Sequence, residues 1–151
     1  MSTAIPRSVL LFRVGERTCA LKLAHVLEVM RPLPVDEVVS TPDFVRGMSI
    51  IRGAPTPVVS LASIFAESGG RPTRLVVVRT GERQVALAVD AVLGVFELDP
   101  ATFHPLPPLA QNAANGALEA MGALDGQLLR VLNSANLVPD EVWQKLVPVQ
   151  P

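Results

Sequence analysis

The chain has 151 residues, 49% of them hydrophobic and 4% aromatic, with no tyrosine and a formal net charge of −1. This is enough apolar material for one compact domain or two small subdomains sharing a core, and the even mixture of acids and bases excludes the basic face that phosphate binding needs, so no nucleic-acid partner is expected. The single cysteine, Cys19, excludes an internal disulfide. With no apolar run of about 18 residues and no signal-peptide pattern in residues 1–7, a cytoplasmic protein without direct membrane insertion is expected.

In chain order, residues 9–14 predict a strand, Gly15-Glu16-Arg17 a tight turn and residues 18–23 a returning strand, together a β-hairpin. A short apolar stretch follows at 26–30, then a Pro-bearing connection, a turn at Arg52-Gly53 and a strand at 57–61. Residues 61–65 read as a short helix that stops before Gly69-Gly70. The layout then starts again, with a strand at 75–79, a turn at Gly81-Glu82-Arg83, a strand at 84–89 and an apolar stretch at 92–98. Residues 101–118, rich in Pro, Ala and Asn, read as a loop. A strand at 128–133 precedes a C-terminal helix at 139–147, which starts on Pro139, carries Asp140 and Glu141 in its first turn and Lys145 in its last. Its Val142, Trp143 and Leu146 are placed to cover a barrel.

This recurrence is an internal repeat. Shifted by 66 positions, Arg13-Val14-Gly15-Glu16-Arg17-Thr18-Cys19-Ala20-Leu21 lies over Arg79-Thr80-Gly81-Glu82-Arg83-Gln84-Val85-Ala86-Leu87 without a gap. Val26, Leu27, Val29 and Pro34 then fall on Val92, Leu93, Val95 and Pro100. A fainter second part follows at an offset of 73, with Arg52-Gly53 over Asp125-Gly126, Val58 over Val131 and Ile64 over Leu137. The change of offset places seven extra residues in the second copy, inside the 101–118 segment. Five short strands per copy suit a small barrel, because closure removes exposed edges. Each copy alone is marginal for an independent core, so the two are expected to pack together. The expected organisation is one domain over 1–151, with subdomains at about 9–70 and 71–138 and the helix 139–147 behind them.

Chemistry-bearing patterns are missing. His25 and His104 have no second ligand at metal spacing. Cys19 follows strand alternation opposite Val85 in the repeat and reads as a small apolar residue. Asp43, Asp90 and Asp99 are separate, and no nucleophile elbow, phosphate loop or dinucleotide fingerprint occurs. No enzyme activity, cofactor or metal is expected. Arg17 and Arg83 sit at hairpin turns and read as solvated, while Arg46 and Arg52 flank Gly47-Met48-Ser49-Ile50-Ile51. An arginine at the tip of a turn, as at Arg52, is either a solvated residue or an interface contact.

At this point the residues resemble the CheW-like coupling proteins of bacterial chemotaxis. Val26-Leu27-Glu28-Val29 resembles that family's Val-x-Glu-Val/Ile motif, and Thr41-Pro42-Asp43-Phe44-Val45-Arg46-Gly47 its Thr-Pro-x-Phe/Tyr-Val/Ile-x-Gly stretch. Ile51-Arg52-Gly53 with Pro57-Val58-Val59 is similar to its Leu-Arg-Gly and following Pro-Val/Ile strand. Ala88-Val89-Asp90-Ala91-Val92 resembles its Val-Asp-x-Val, and Gly122-Ala123-Leu124 with residues 128–137 its ending. The resemblance implies a mainly β fold of two five-stranded SH3-like barrels with short helices. It implies a non-enzymatic adaptor at chemoreceptor arrays that bridges the cytoplasmic tip of methyl-accepting chemoreceptors to the regulatory domain of a CheA-type histidine kinase. Kinase contacts would then fall on Glu28, Arg46, Gly47 and Met48, and receptor contacts in a groove between the barrels on Arg52, Leu75 and Val77.

There are departures. Ile50 stands where the family has Asn, Ser60 and Ala62 where it has Asp and Arg, and Pro55 where an apolar strand residue is usual, which should disturb or shorten an edge. A divergent member that keeps one partner and has lost the other therefore stays open, as does a barrel that binds a small ligand.

Overall fold

The computed structural model describes residues 8–39, 41–65, 71–99, 101, 103–105, 118–124 and 126–146. Within them the chain forms β1 (Ser8–Val14), β2 (Arg17–Lys22), β3 (Val26–Met30), β4 (Val45–Ile51), β5 (Ala54–Ser60), α1 (Leu61–Ile64), β6 (Arg74–Thr80), β7 (Arg83–Val89), β8 (Ala91–Glu97), β9 (Phe103–Pro105), β10 (Leu118–Leu124), β11 (Gln127–Leu132) and α2 (Asp140–Leu146). Two 3₁₀ turns, Leu23–His25 and Ser134–Asn136, complete the set. Both predicted hairpins and both predicted helices are present. β4 and β10 carry no strong alternation in the sequence and complete the five-strand plan, while β9 lies inside the segment expected to be loop.

The strands form two sheets, one of six strands in the order β8-β1-β2-β11-β10-β9 and one of five in the order β3-β6-β7-β5-β4. We call the units built on them barrel A and barrel B. Neither follows the halves expected at 9–70 and 71–138. Barrel A takes its central hairpin, β1–β2, from the first copy and its other strands from the second; barrel B takes β6–β7 from the second copy and the rest from the first. The joints are parallel pairs, Leu129 to Val131 against Thr18 to Ala20 in barrel A and Val58 to Ser60 against Ala86 to Ala88 in barrel B.

Burial explains the exchange. Both hairpins are apolar on both faces, so each needs cover from two sides. On one face, Leu10, Phe12, Val14, Cys19 and Leu21 meet Val76, Val78, Val85, Leu87 and Val89 in a core between the barrels. On the other face, Val9, Leu11 and Ala20 fill barrel A with Phe103, Leu129 and Val131. At the repeat-equivalent positions, Leu75, Val77 and Ala86 fill barrel B with Ile51 and Val58. α2 buries Val142, Trp143 and Leu146 in the shared core. His25 accordingly sits in a polar joint between the copies, its Nδ1 2.7 Å from Ser134 Oγ.

Barrel B closes through the segment after β3. Asp36 N donates to Met48 O at 2.9 Å and Met48 N to Asp36 O at 2.8 Å, and Ser49 Oγ donates to Pro34 O. The same joint recurs in barrel A, where Met121, the repeat partner of Met48, pairs with His104 on β9. The capping residues repeat too: Ser60 accepts from Ser63 N at the start of α1, and Asn133, its counterpart, accepts from Ala135 N. Pro55 does not shorten an edge. It pairs with Ile50, and β5 meets β7 only from Val58 onward, so its missing N–H faces no ladder partner.

Candidate partner-binding surfaces

The expected kinase and receptor residues lie on four elements of barrel B, of which β6 carries Leu75 and Val77. β3 is an edge strand carrying Glu28, β4 is the opposite edge carrying Arg46, Gly47 and Met48, and the β4–β5 turn carries Arg52. Along β4 the burial alternates: Val45, Gly47, Ser49 and Ile51 are buried, while Arg46 and Ile50 are exposed and Met48 is half-buried. Arg46, Met48 and Ile50 therefore form one outward stripe, ending in Arg52 at the turn. Ile50, the departure from the family's Asn, is 67% exposed at its centre. Nothing in the structure explains why an isoleucine is kept there.

The turn is a two-residue connection between the paired Ile51 and Ala54. Both of its central residues have positive φ, 54° at Arg52 and 77° at Gly53. Such a turn matches the twist of the flanking strands, and it strains any residue with a Cβ in the first position. Arg52 is held there despite the strain. Its Nη1 reaches Glu28 Oε2 at 3.8 Å, across the mouth of the barrel, with the two side chains 53% and 37% exposed. An exposed pair of this kind contributes no more than about 1 kcal/mol to stability. Its effect is to fix the position of two long side chains that the sequence places 24 residues apart, at 28 and 52.

Three expected site residues are buried. Gly47 is buried at a bulge, with φ +143°, and an added Cβ would lie 2.1 Å from Asp36 O. Its role is to let Asp36 and Met48 pair, which no other residue permits. Leu75 and Val77 are 2% and 0% exposed, inside barrel B, so their side chains offer nothing to a partner. The resemblance implied a groove on this strand, but β6 is covered on both faces, by the core between the barrels and by the interior of barrel B. Glu28, Arg46, Met48 and Arg52 are accessible in whole or in part.

Sequence reasoning missed a second surface. β8 is the edge of barrel A and exposes Leu93, Val95 and Phe96, with Val95 at 58%. Its repeat counterpart β3 exposes Val29. An apolar edge strand left open is an association site, because it offers both unpaired backbone and side chains that water disfavours. The signal was available in the repeat, since Val29 and Val95 are equivalent and flank Glu28 and Gly94.

Asp90, in the Val-Asp-x-Val stretch, has a structural task. Its Oδ2 accepts from Gly15 N at 3.0 Å and its own N–H donates to Arg13 O, so the β7–β8 corner of one copy ties down the first hairpin of the other. Ser60 also has a local reason. Serine caps a helix as aspartate does, so that departure from the family pattern preserves the cap of α1.

These features agree with what the chain resembles. The profile of the CheW-like domain matches residues 8–142. The chemotaxis protein CheW of Klebsiella aerogenes is 28% identical over 140 residues, covering 91% of this chain and 84% of that protein. The FrzA protein of Myxococcus xanthus is 31% identical over 134 residues, covering 84% and 82%. Among solved structures, the scaffolding protein TtCheW from Thermoanaerobacter tengcongensis superposes with a TM-score of 0.76 at 23% identity, covering 85% of this chain and 90% of that one, which establishes a common fold. With the profile spanning both barrels and α2 up to Val142, the chain belongs to the CheW-like domain family.

Proposed function

We propose that this chain is a non-enzymatic chemotaxis adaptor that joins the cytoplasmic tip of a chemoreceptor to the regulatory domain of a CheA-type histidine kinase in the cytoplasm. The observation that carries the reading is the joint occurrence of family membership across both barrels and two dissimilar exposed edges. The kinase domain docks on the charged stripe of barrel B, with Glu28, Arg46 and Met48 as contacts. The receptor lies along the apolar edges, on Val29, Leu93, Val95 and Phe96, with Arg52 as its polar anchor.

The Glu28–Arg52 pair gives this arrangement a mechanism. One residue belongs to each partner's footprint, so a receptor that recruits Arg52 frees Glu28, and a kinase that recruits Glu28 frees Arg52. The scaffold's output is geometry, and two moderate interfaces on one rigid body favour arrays through linked binding.

Direct binding measurements with a purified receptor tip and kinase regulatory domain test the reading. Both should bind wild-type chain, separately and together; binding to neither would contradict it. Exposed Ile50 is the observation that favours a second reading, in which the barrel B stripe no longer takes the kinase and the chain binds a receptor alone. Receptor binding without kinase binding would select that reading.

A further inference from the structure

A cleft of about 450 Å³ opens between α2 and the β6–β7 turn of barrel B. Leu27, Met48, Pro55, Trp143 and Leu146 give it an apolar lining. Its polar groups are few: Arg79 from the end of β6, Glu82 from the turn, and Arg83 and Gln84 from the start of β7. The volume lies within the range of small-molecule sites, roughly 300 to 1,000 Å³, and the mix of an apolar lining with a few converging polar groups has their character.

The chemistry of the rim narrows the ligand. Gln84 is already engaged, its Nε2 donating to Ile51 O at 2.8 Å and to Thr56 Oγ1 at 2.7 Å, so that amide group is not available to an occupant. The guanidinium of Arg83 stacks on Trp143, 4.8 Å from the ring centroid, which fixes the group at the wall without consuming its hydrogen-bonding edge. Among the described residues neither Arg79 nor Arg83 forms a salt bridge with a carboxylate. Two guanidinium groups against the single carboxylate of Glu82 leave one net positive charge at the mouth. That balance suits one negative charge and disfavours two.

We propose that this cleft is a binding site for a small amphipathic monocarboxylate, with its carboxylate on Arg79 and Arg83 and its apolar body over Trp143, Met48 and Leu146. The carboxylate accepts from the planar guanidinium forks, the geometry that arginine favours over lysine. The site shares Met48 with the proposed kinase footprint but is otherwise separate from the partner contacts, and it needs neither partner present.

Trp143 is the sole tryptophan in a chain without tyrosine, so intrinsic emission reports on the cleft directly. The full chain is titrated with sodium octanoate, and in parallel with 1-octanol and octylammonium, and the affinities are checked by calorimetry. Octanoate should give a saturable emission change, with both controls binding at least tenfold more weakly. Arg79→Gln, which leaves the Arg83–Trp143 stack in place, should weaken octanoate at least fivefold. Glu82→Gln should tighten it severalfold by removing the opposing charge. Arg79 is an exposed residue near the end of β6 and Glu82 an exposed turn residue, so folding is retained and thermal melts confirm it. No saturable response, equal affinity for octanol, or octanoate affinity unmoved by both substitutions would overturn the proposal.

Discussion

Barrels A and B share one plan: a central hairpin taken from the other copy, a parallel joint to the last hairpin, a third strand at one edge and a bridging residue beside a methionine at the other. Their surfaces differ. Barrel B has an ion pair across its mouth, Glu28 with Arg52, where the sequence of the second copy has Gly94 and Asp125. Barrel A exposes Leu93, Val95 and Phe96 along β8. Duplication supplied two equivalent frameworks, and because the core is built from positions that repeat, the outward positions were free to diverge. The exchanged hairpins also make the two barrels one folding unit, since each half alone would expose one face of a buried hairpin.

The largest expected effects test the frameworks against each other. Gly47→Val in barrel B puts a side chain into the backbone of Asp36 and should cost about 4 kcal/mol or more, or prevent folding. In barrel A the counterpart of Gly47 is Ala120, and the crowded glycine is Gly122, where an added Cβ meets the ring of Phe103 at 2.5 Å; a ring moves more readily than backbone, so about 1 to 3 kcal/mol is expected for Gly122→Ala. Chemical denaturation of both variants checks the order. Leu75→Ala should cost about 2 to 5 kcal/mol as a cavity in barrel B, with no change in receptor affinity of the folded protein. A selective loss of receptor binding would return Leu75 to the interface.

Smaller effects concern the joints and turns. Asp90→Ala leaves Gly15 N–H without its acceptor and should cost about 1 to 3 kcal/mol. At Ala24, the repeat counterpart of Asp90, substitution to serine should leave stability within about 0.5 kcal/mol, as is usual for exposed sites. Arg52→Gly relieves a positive φ and should raise stability by a few tenths to about 1 kcal/mol, even though an ion pair is lost. Melting curves that show Arg52→Gly to be destabilised would mean that the pair holds the barrel together and does not merely orient two contacts.

The elements that could be read from the sequence are those whose signal is local. β1–β2 and β6–β7 announce themselves by apolar runs around a repeated Gly-Glu-Arg turn, and α2 by its start signal and its Val142, Trp143, Leu146 spacing. The exchange of hairpins between copies left no trace, because strand alternation reports which faces are buried and not which strand lies alongside. β4 was hidden because two of its inward positions are Gly47 and Ser49, so its regular alternation of burial does not show as an alternation of apolar and polar residues. Glu28, Arg46 and Arg52 could be singled out by motif, but the meeting of Glu28 with Arg52 could not, since it depends on barrel closure. Leu75 and Val77 were expected at the surface from the resemblance alone, and their burial inside barrel B depends on strands that close over them. The cleft was invisible because Arg83 and Trp143 come together only when α2 packs beside the second hairpin.

The central claim is that two faces of one rigid body serve two partners. The most direct test is calorimetry of Glu28→Lys and Val95→Lys chains against a kinase regulatory domain and a receptor tip. We expect Glu28→Lys to weaken kinase binding at least tenfold with receptor binding changed by no more than about fivefold, the most that loss of the exposed pair with Arg52 accounts for, and Val95→Lys to weaken receptor binding at least tenfold with kinase binding within twofold. Two variants that weaken both partners equally, or neither, would contradict the division of faces.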